Sequence, residues 1–128
     1  MAHKAIALLI ILAAALGLRF VNLTSWPIFA DESIYIRWSQ VMRAEPSLRF
    51  LPLSDGKQPL YMWATIPFLK IFSDPLLAGR VFSALAGLGT IAGIAAASFI
   101  LFKSPRQTLT ATAVAAVLPY TVFFNRLA

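Results

Sequence analysis

The chain of 128 residues has no cysteine, a single histidine and only five acidic residues. Without cysteine there is no disulfide framework and no thiolate metal site, and the one histidine, His3, sits at the N-terminal end. Charged residues are also scarce, at 12%, against 59% hydrophobic residues and a mean hydropathy of +0.77. That balance exceeds what a small soluble core can bury, which excludes a soluble globular enzyme. Eleven Lys/Arg against five Asp/Glu give a net charge of +6. The cations stand singly between apolar segments and form no basic stripe, so an anionic lipid or a phosphate is the expected partner and nucleic acid is not. No internal repeat, heptad series or low-complexity tract is visible.

What is present is a set of long apolar runs, at 5–18, 76–102 and 109–124. Each pass through hydrocarbon needs roughly 20 residues, so the runs supply two or three. The opening MAHKAIALLIILAAALGLRFVNL has small residues around Ala13 to Ala15 that would suit signal-peptide cleavage. The run continues through Leu18, Phe20, Val21 and Leu23, so an uncleaved first span over 5–23 is expected, with Arg19 snorkelling to the interface. Asn22-Leu23-Thr24 spells a glycosylation sequon but stands at the membrane edge, where it reads as a helix exit.

Residues 25–75 differ in kind. They hold all five acidic residues, six of the eight prolines and the turn signal Ser54-Asp55-Gly56, which predicts an ordered loop. Within it DESIYIRWSQVMR, from Asp31 to Arg43, places Ile34, Trp38, Val41 and Met42 on one helical face and Ser33, Arg37 and Gln40 on the other, an amphipathic interfacial helix. Residues 60–72 are apolar but too short to span and are interrupted by Pro67, so a half-buried helix beginning after Pro59 is expected.

Ser73-Asp74-Pro75 supplies a cap and an opening proline for a second span over 76–102. Two rows of small residues, Gly79, Ser83 and Gly87, then Gly89, Gly93 and Ala97, predict close helix approach. Lys103-Ser104-Pro105-Arg106 is a basic turn, with Ser104 as cap and Pro105 opening a third span over 106–126 that Pro119 should kink. The expected fold is therefore an all-α polytopic membrane protein, with about three transmembrane helices and interfacial helices in the first outer loop, 25–75.

Counting crossings puts the loop 25–75, Arg19, Arg80 and Arg126 toward one side and Lys4, Lys103 and Arg106 on the other. A simple count of Arg37, Arg43, Arg49, Lys57 and Lys70 would place the loop inside. The loop is near the length at which that rule weakens and the 103–106 turn is denser in charge, so an extracytoplasmic loop is expected.

Few residues carry chemistry. Adjacent Asp31 and Glu32 open the amphipathic helix, where carboxylates can act as a general base or hold a divalent cation; Asp31 as helix cap and Glu32 as complement to the helix dipole explain the same letters. Lys57-Gln58-Pro59-Leu60-Tyr61 sets a cation and a phenol around a rigid turn, suited to a phosphate and a sugar hydroxyl, or else to a snorkelling lysine and a belt tyrosine. Arg80 and Arg126 stand near the ends of apolar segments, where an ionised group either serves a function or snorkels.

FADESIYIRW after the first span, KQPLYMW further along the loop, GRVFSALAGL opening the second span and LPYTVFFNRLA at the end occur in that order. Together they resemble the N-terminal part of GT-C-fold membrane glycosyltransferases, in particular the dolichyl-phosphate-mannose protein mannosyltransferase and aminoarabinose (lipid A) transferase group. The resemblance implies transfer of a sugar from a polyprenyl-phosphate carrier to a protein or lipid hydroxyl, with inversion, in a bacterial-type plasma membrane with the loop extracytoplasmic. It also implies that Asp31 is the catalytic carboxylate with Glu32 beside it, that Lys57 neutralises the departing phosphate, and that Tyr35 and Tyr61 lie near that phosphate. Arg80 and Arg126 are further substrate-binding candidates, and any divalent cation would fall to Asp31 and Glu32. Gln58 departs from the family's usual proline. Such enzymes are much longer, so this chain is expected to be a fragment without turnover by itself. Two other classes fit the same composition: a non-catalytic membrane subunit or helix-packing module, and a transporter fragment, which would need a broken helix near mid-membrane.

Overall fold

A computed structural model describes residues 2–128, except for the side chains of Ala2, Lys4 and Ala5, so the expected placement of the Lys4 side chain falls outside it. All regular structure among the described residues is helical: α1 (Ala2–Phe20), α2 (Ala30–Ala44), α3 (Leu60–Thr65), α4 (Phe68–Ile71), α5 (Pro75–Phe102), α6 (Pro105–Val117) and α7 (Pro119–Phe124), with 3-10 turns at Pro46–Leu48 and Leu51–Asp55. The chain divides into two compact units, Met1–Val21 with Ala84–Arg126, and Asn22–Ser83 with Leu127–Ala128.

In the first unit, α1 is built from Ala, Leu and Ile and ends where Asn22 takes a left-handed conformation at φ 53°. Its helix therefore stops at Phe20, short of the expected Leu23. The third expected span differs more. Leu118 precedes a proline and is driven out of the helical region to ψ 120°, so the segment breaks into α6 and α7 where a kink in one helix was expected. Pro105 does open α6, but Ser104 makes no side-chain cap bond. Ala15 of α1, Ile91 of α5 and Ala115 and Ala116 of α6 form the core, with Ile11, Leu88 and Ile94 against it. Alanines at these contacts allow close backbone approach.

The break has a consequence for Arg19, which is wholly buried and does not snorkel. Pro119 has no N–H to give to the carbonyl of Ala115, four residues earlier. Arg19 donates instead, through Nη2 to Ala115 O at 3.4 Å and Nη1 to Ala116 O at 2.8 Å, while its Nε bonds Asn125 Oδ1 at 3.1 Å. Thr121 Oγ1 also donates to Ala115 O at 3.1 Å. Asn125 in turn lies so close to Gly87 that a Cβ there would run into it. Arg126 acts in the opposite sense, donating to Leu18 O and Val21 O at 2.7 and 2.8 Å, the free carbonyls at the end of α1.

In the second unit, α2, α3, α4 and the start of α5 gather around Ile36, Met42, Met62, Leu69 and Ala78. Gly56 supplies φ 68° at the turn after Asp55, a conformation a side chain resists, and its N–H returns to Leu53 O. Ile66 and Pro67 interrupt the helix after Pro59, separating α3 from α4. Asp74 opens α5 by accepting the Leu76 N–H at 2.9 Å. The buried face of α2 is Glu32, Ile36, Ser39 and Met42, whereas Ile34, expected on the apolar face, is exposed. The reason is electrostatic: Glu32 is drawn inward by Arg80, and that pair sets the rotation of the helix.

The first row of small residues is used within the units, Gly79 against Ile36, Tyr61 and Ala128, and Gly87 against Asn125. Gly89 and Gly93 of the second row face open space. One helix, α5, is long and apolar enough to cross a membrane, and only 17% of its most apolar window is buried, unlike the core helix of a soluble protein. The apolar part of α1, Ile6–Phe20, is shorter.

Candidate functional site

The chemistry-bearing residues of the second unit sort into a closed internal pair and an open cleft. The pair is Glu32 with Arg80, exposed to 1% and 0%. Arg80 Nε donates to Glu32 Oε1 and Nη2 to Oε2, both at 2.7 Å, in a bidentate fork. Its remaining N–H groups go to the carbonyls of Leu23 at 2.6 Å, Trp26 at 3.0 Å and Pro27 at 3.2 Å. A guanidinium has five N–H donors and all are engaged, so Arg80 has none left for a substrate.

Glu32 is equally committed. Besides Arg80, its Oε2 accepts the Phe29 N–H at 3.1 Å, closing one half of a capping box, and its Oε1 accepts the Ala128 N–H at 2.8 Å. Burial pushes the carboxyl up, and the bonds from Arg80, Ala128 and Phe29 more than reverse this, holding it below the ordinary carboxylate value. A carboxylate saturated in this way has no lone pair for a proton or a cation. Asp31 and Glu32 thus do not act as a pair. Nor does Asp31 cap α2, because the N-cap position belongs to Phe29 and the carboxylate bond to its N–H comes from Glu32. No group of three or more metal-ligating side chains forms among the described residues, and with Glu32 engaged the site does not fit a divalent cation held by the pair.

The cleft is a cavity of about 330 Å³ lined by Tyr35, Lys57, Gln58, Tyr61, Met62 and Ser83, with Leu127 and Ala128. Tyr35 stands on α2 one turn after Asp31, and both lie away from the buried face. Lys57 follows the Gly56 turn, and the bond from its N–H to Pro52 O at 3.0 Å fixes the backbone there. Its Nζ lies 5.7 Å from the centroid of the Tyr35 ring. The Tyr35 hydroxyl, then the carboxylates of Asp31 and Asp55, hold the Lys57 ammonium above its ordinary value, so it is a full cation at neutral pH.

Tyr61 forms the opposite wall, with its ring centroid 6.0 Å from that of Tyr35 and 5.4 Å from that of Phe82. Its hydroxyl donates to Gly79 O at 3.2 Å and accepts from Ser83 at 3.4 Å, and burial raises its pKa. The close approach at Gly79, where a Cβ would meet the Tyr61 oxygen at 3.3 Å, allows this seating.

The structure therefore brings Tyr35, Lys57 and Tyr61 together, with Asp31 one turn away on α2 and acting on the Lys57 charge. Glu32 and Arg80 stand behind as framework, and Arg126 belongs to the other unit, bonded to α1 carbonyls. Sequence reasoning missed Met62 and Ser83 as lining residues, although Ser83 stands in the Gly79 row. A scan against family models, a search of curated proteins and a search of solved structures each found no match.

Proposed function

We propose that this chain carries the donor-phosphate site of a polytopic membrane glycosyltransferase, in which a sugar passes from a polyprenyl-phosphate carrier to an acceptor hydroxyl with inversion. The observation that supports it most is the cleft itself: one exposed ammonium, two tyrosine rings and the Gln58 amide around a space open to a phosphate, with an exposed carboxylate one turn away. The order of motifs along the sequence supports it independently.

In this mechanism the acceptor oxygen attacks the anomeric carbon while its proton passes to the Asp31 carboxylate. The bond from that carbon to the phosphate oxygen breaks in the same displacement, which inverts the centre. Charge collects on the departing polyprenyl phosphate, where Lys57 stabilises it. Tyr35 and Gln58 offer hydrogen bonds to the phosphate, while Tyr61, its O–H already given to Gly79, serves as a wall. Glu32 and Arg80 position α2 and so Asp31. A transporter would need a broken helix whose freed carbonyls face a substrate; α5 is continuous, and the carbonyls freed at Leu118 are taken by Arg19.

The test uses this chain in lipid nanodiscs and a fluorescent polyprenyl phosphate. Lys57→Gln should weaken binding by about tenfold or more, in keeping with loss of a charge-assisted contact. Wild-type affinity in Lys57→Gln, or equal binding of the uncharged polyprenol, would leave Lys57 as an interfacial anchor.

A further inference from the structure

A second polar cleft, separate from the first, lies where α2 and α4 meet the opening of α5. It has a volume of about 390 Å³ and is lined by Gln40, Arg43, Leu69, Lys70, Ser73 and Pro75, among others. Two cations face it, and no carboxylate pairs with either among the described residues. Arg43 is fixed in place: its Nη1 donates to the carbonyl of Leu69, which is free because α4 ends at Ile71 and Phe72 turns to an extended conformation. The other N–H groups of the guanidinium remain to face the cleft beside the Lys70 ammonium. Gln40 and Ser73 add neutral donors.

Position identifies the ligand. Pro75 in the cleft wall is also the first residue of α5, the helix long and apolar enough to cross a membrane. Its 28 residues extend about 42 Å, beyond a hydrocarbon core of about 30 Å, so its first turn stands at headgroup depth. Ile71, 72% exposed, adds an apolar surface beside the cations for an acyl chain. We infer that the Arg43–Lys70 cleft binds the phosphodiester headgroup of an anionic phospholipid. This rests on membrane crossing by α5 and is independent of sugar transfer.

Native mass spectrometry of the chain released from detergent, titrated with phosphatidylglycerol or phosphatidylcholine, tests it. The chain should retain phosphatidylglycerol preferentially, and Arg43→Gln and Lys70→Gln should each lower its affinity by about fivefold. Lys70→Gln makes no demand on the fold, since the Lys70 side chain is exposed and its backbone bond to Pro67 O is kept by glutamine, so it decides the matter if Arg43→Gln loses helicity. Equal retention of the two lipids, unchanged affinity in Lys70→Gln, or displacement of the lipid by millimolar inorganic phosphate would overturn the assignment. Lys57→Gln serves as the control, because loss of polyprenyl phosphate binding there with phosphatidylglycerol retained separates the two clefts.

Discussion

Replacing Arg80 by methionine would leave the Glu32 carboxylate buried without its counter-ion and would strip the carbonyls of Leu23, Trp26 and Pro27 of their donor. Removing one partner of a buried pair costs about 3–5 kcal/mol, and at 0% and 1% exposure this pair has no solvent to soften the loss. Glu32→Met should cost a similar amount, because it leaves a buried guanidinium. The double variant Glu32→Met/Arg80→Met removes both charges and should cost less than the sum of the singles by about 2–3 kcal/mol. About 3 kcal/mol of the remainder is the loss of donors to the three loop carbonyls, about 1 kcal/mol each. Reversible unfolding in mixed detergent, followed by far-ultraviolet circular dichroism, reads all three values. Acid supplies an orthogonal check. Glu32 is held below its ordinary value, so the stability it contributes is present above about pH 4.3 and is lost as pH falls through the lower folded value. The wild type should lose stability below about pH 4 and Glu32→Gln should lose less. Singles that each cost under about 1 kcal/mol and add without coupling would refute the buried-pair account.

Gly87→Ala would drive a Cβ into Asn125 and displace the acceptor of Arg19 Nε, so a loss of about 1–3 kcal/mol is expected in the same unfolding assay. Gly93→Ala, where nothing approaches, should be neutral or stabilising by up to about 1 kcal/mol through helix propensity. For topology, Ser54→Cys should react with an impermeant thiol reagent in intact cells and Ser104→Cys should not; the reverse pattern would put the loop 25–75 in the cytoplasm.

Where local rules act alone, the sequence was a sufficient guide. Asp74-Pro75 opens α5, Gly56 makes its turn, and Pro67 separates α3 from α4 because a proline or a positive φ acts on its own neighbours. Where two distant polar groups meet, it was not. Periodicity alone places Ile34 on the buried face, yet Glu32 and Arg80, 48 positions apart, rotate α2 otherwise. Local sequence marks Arg19 as a snorkelling residue because its partners, the carbonyls of Ala115 and Ala116, lie nearly a hundred residues on. A signal existed: Pro119 leaves the carbonyl of Ala115 without a helical donor, and a buried arginine is one of few groups able to serve it. In the candidate site the same division holds. Tyr35, Lys57 and Tyr61 are nominated by residue type and spacing, but that Asp31 is the exposed member of the Asp-Glu pair follows only from where Glu32 points.

Asp31→Asn is the most direct test of the proposed transfer of the acceptor's proton to Asp31. The substitution is close to isosteric, and Asp31 does not hold the α2 cap, so stability should change by a few tenths of a kcal/mol. The measurement is transfer of a labelled sugar from its polyprenyl phosphate by the proposed glycosyltransferase, alongside donor binding by the same variant. Binding should stay within a few-fold of wild type while transfer falls by at least about a hundredfold. Near-normal transfer in Asp31→Asn would rule out Asp31 as the proton acceptor.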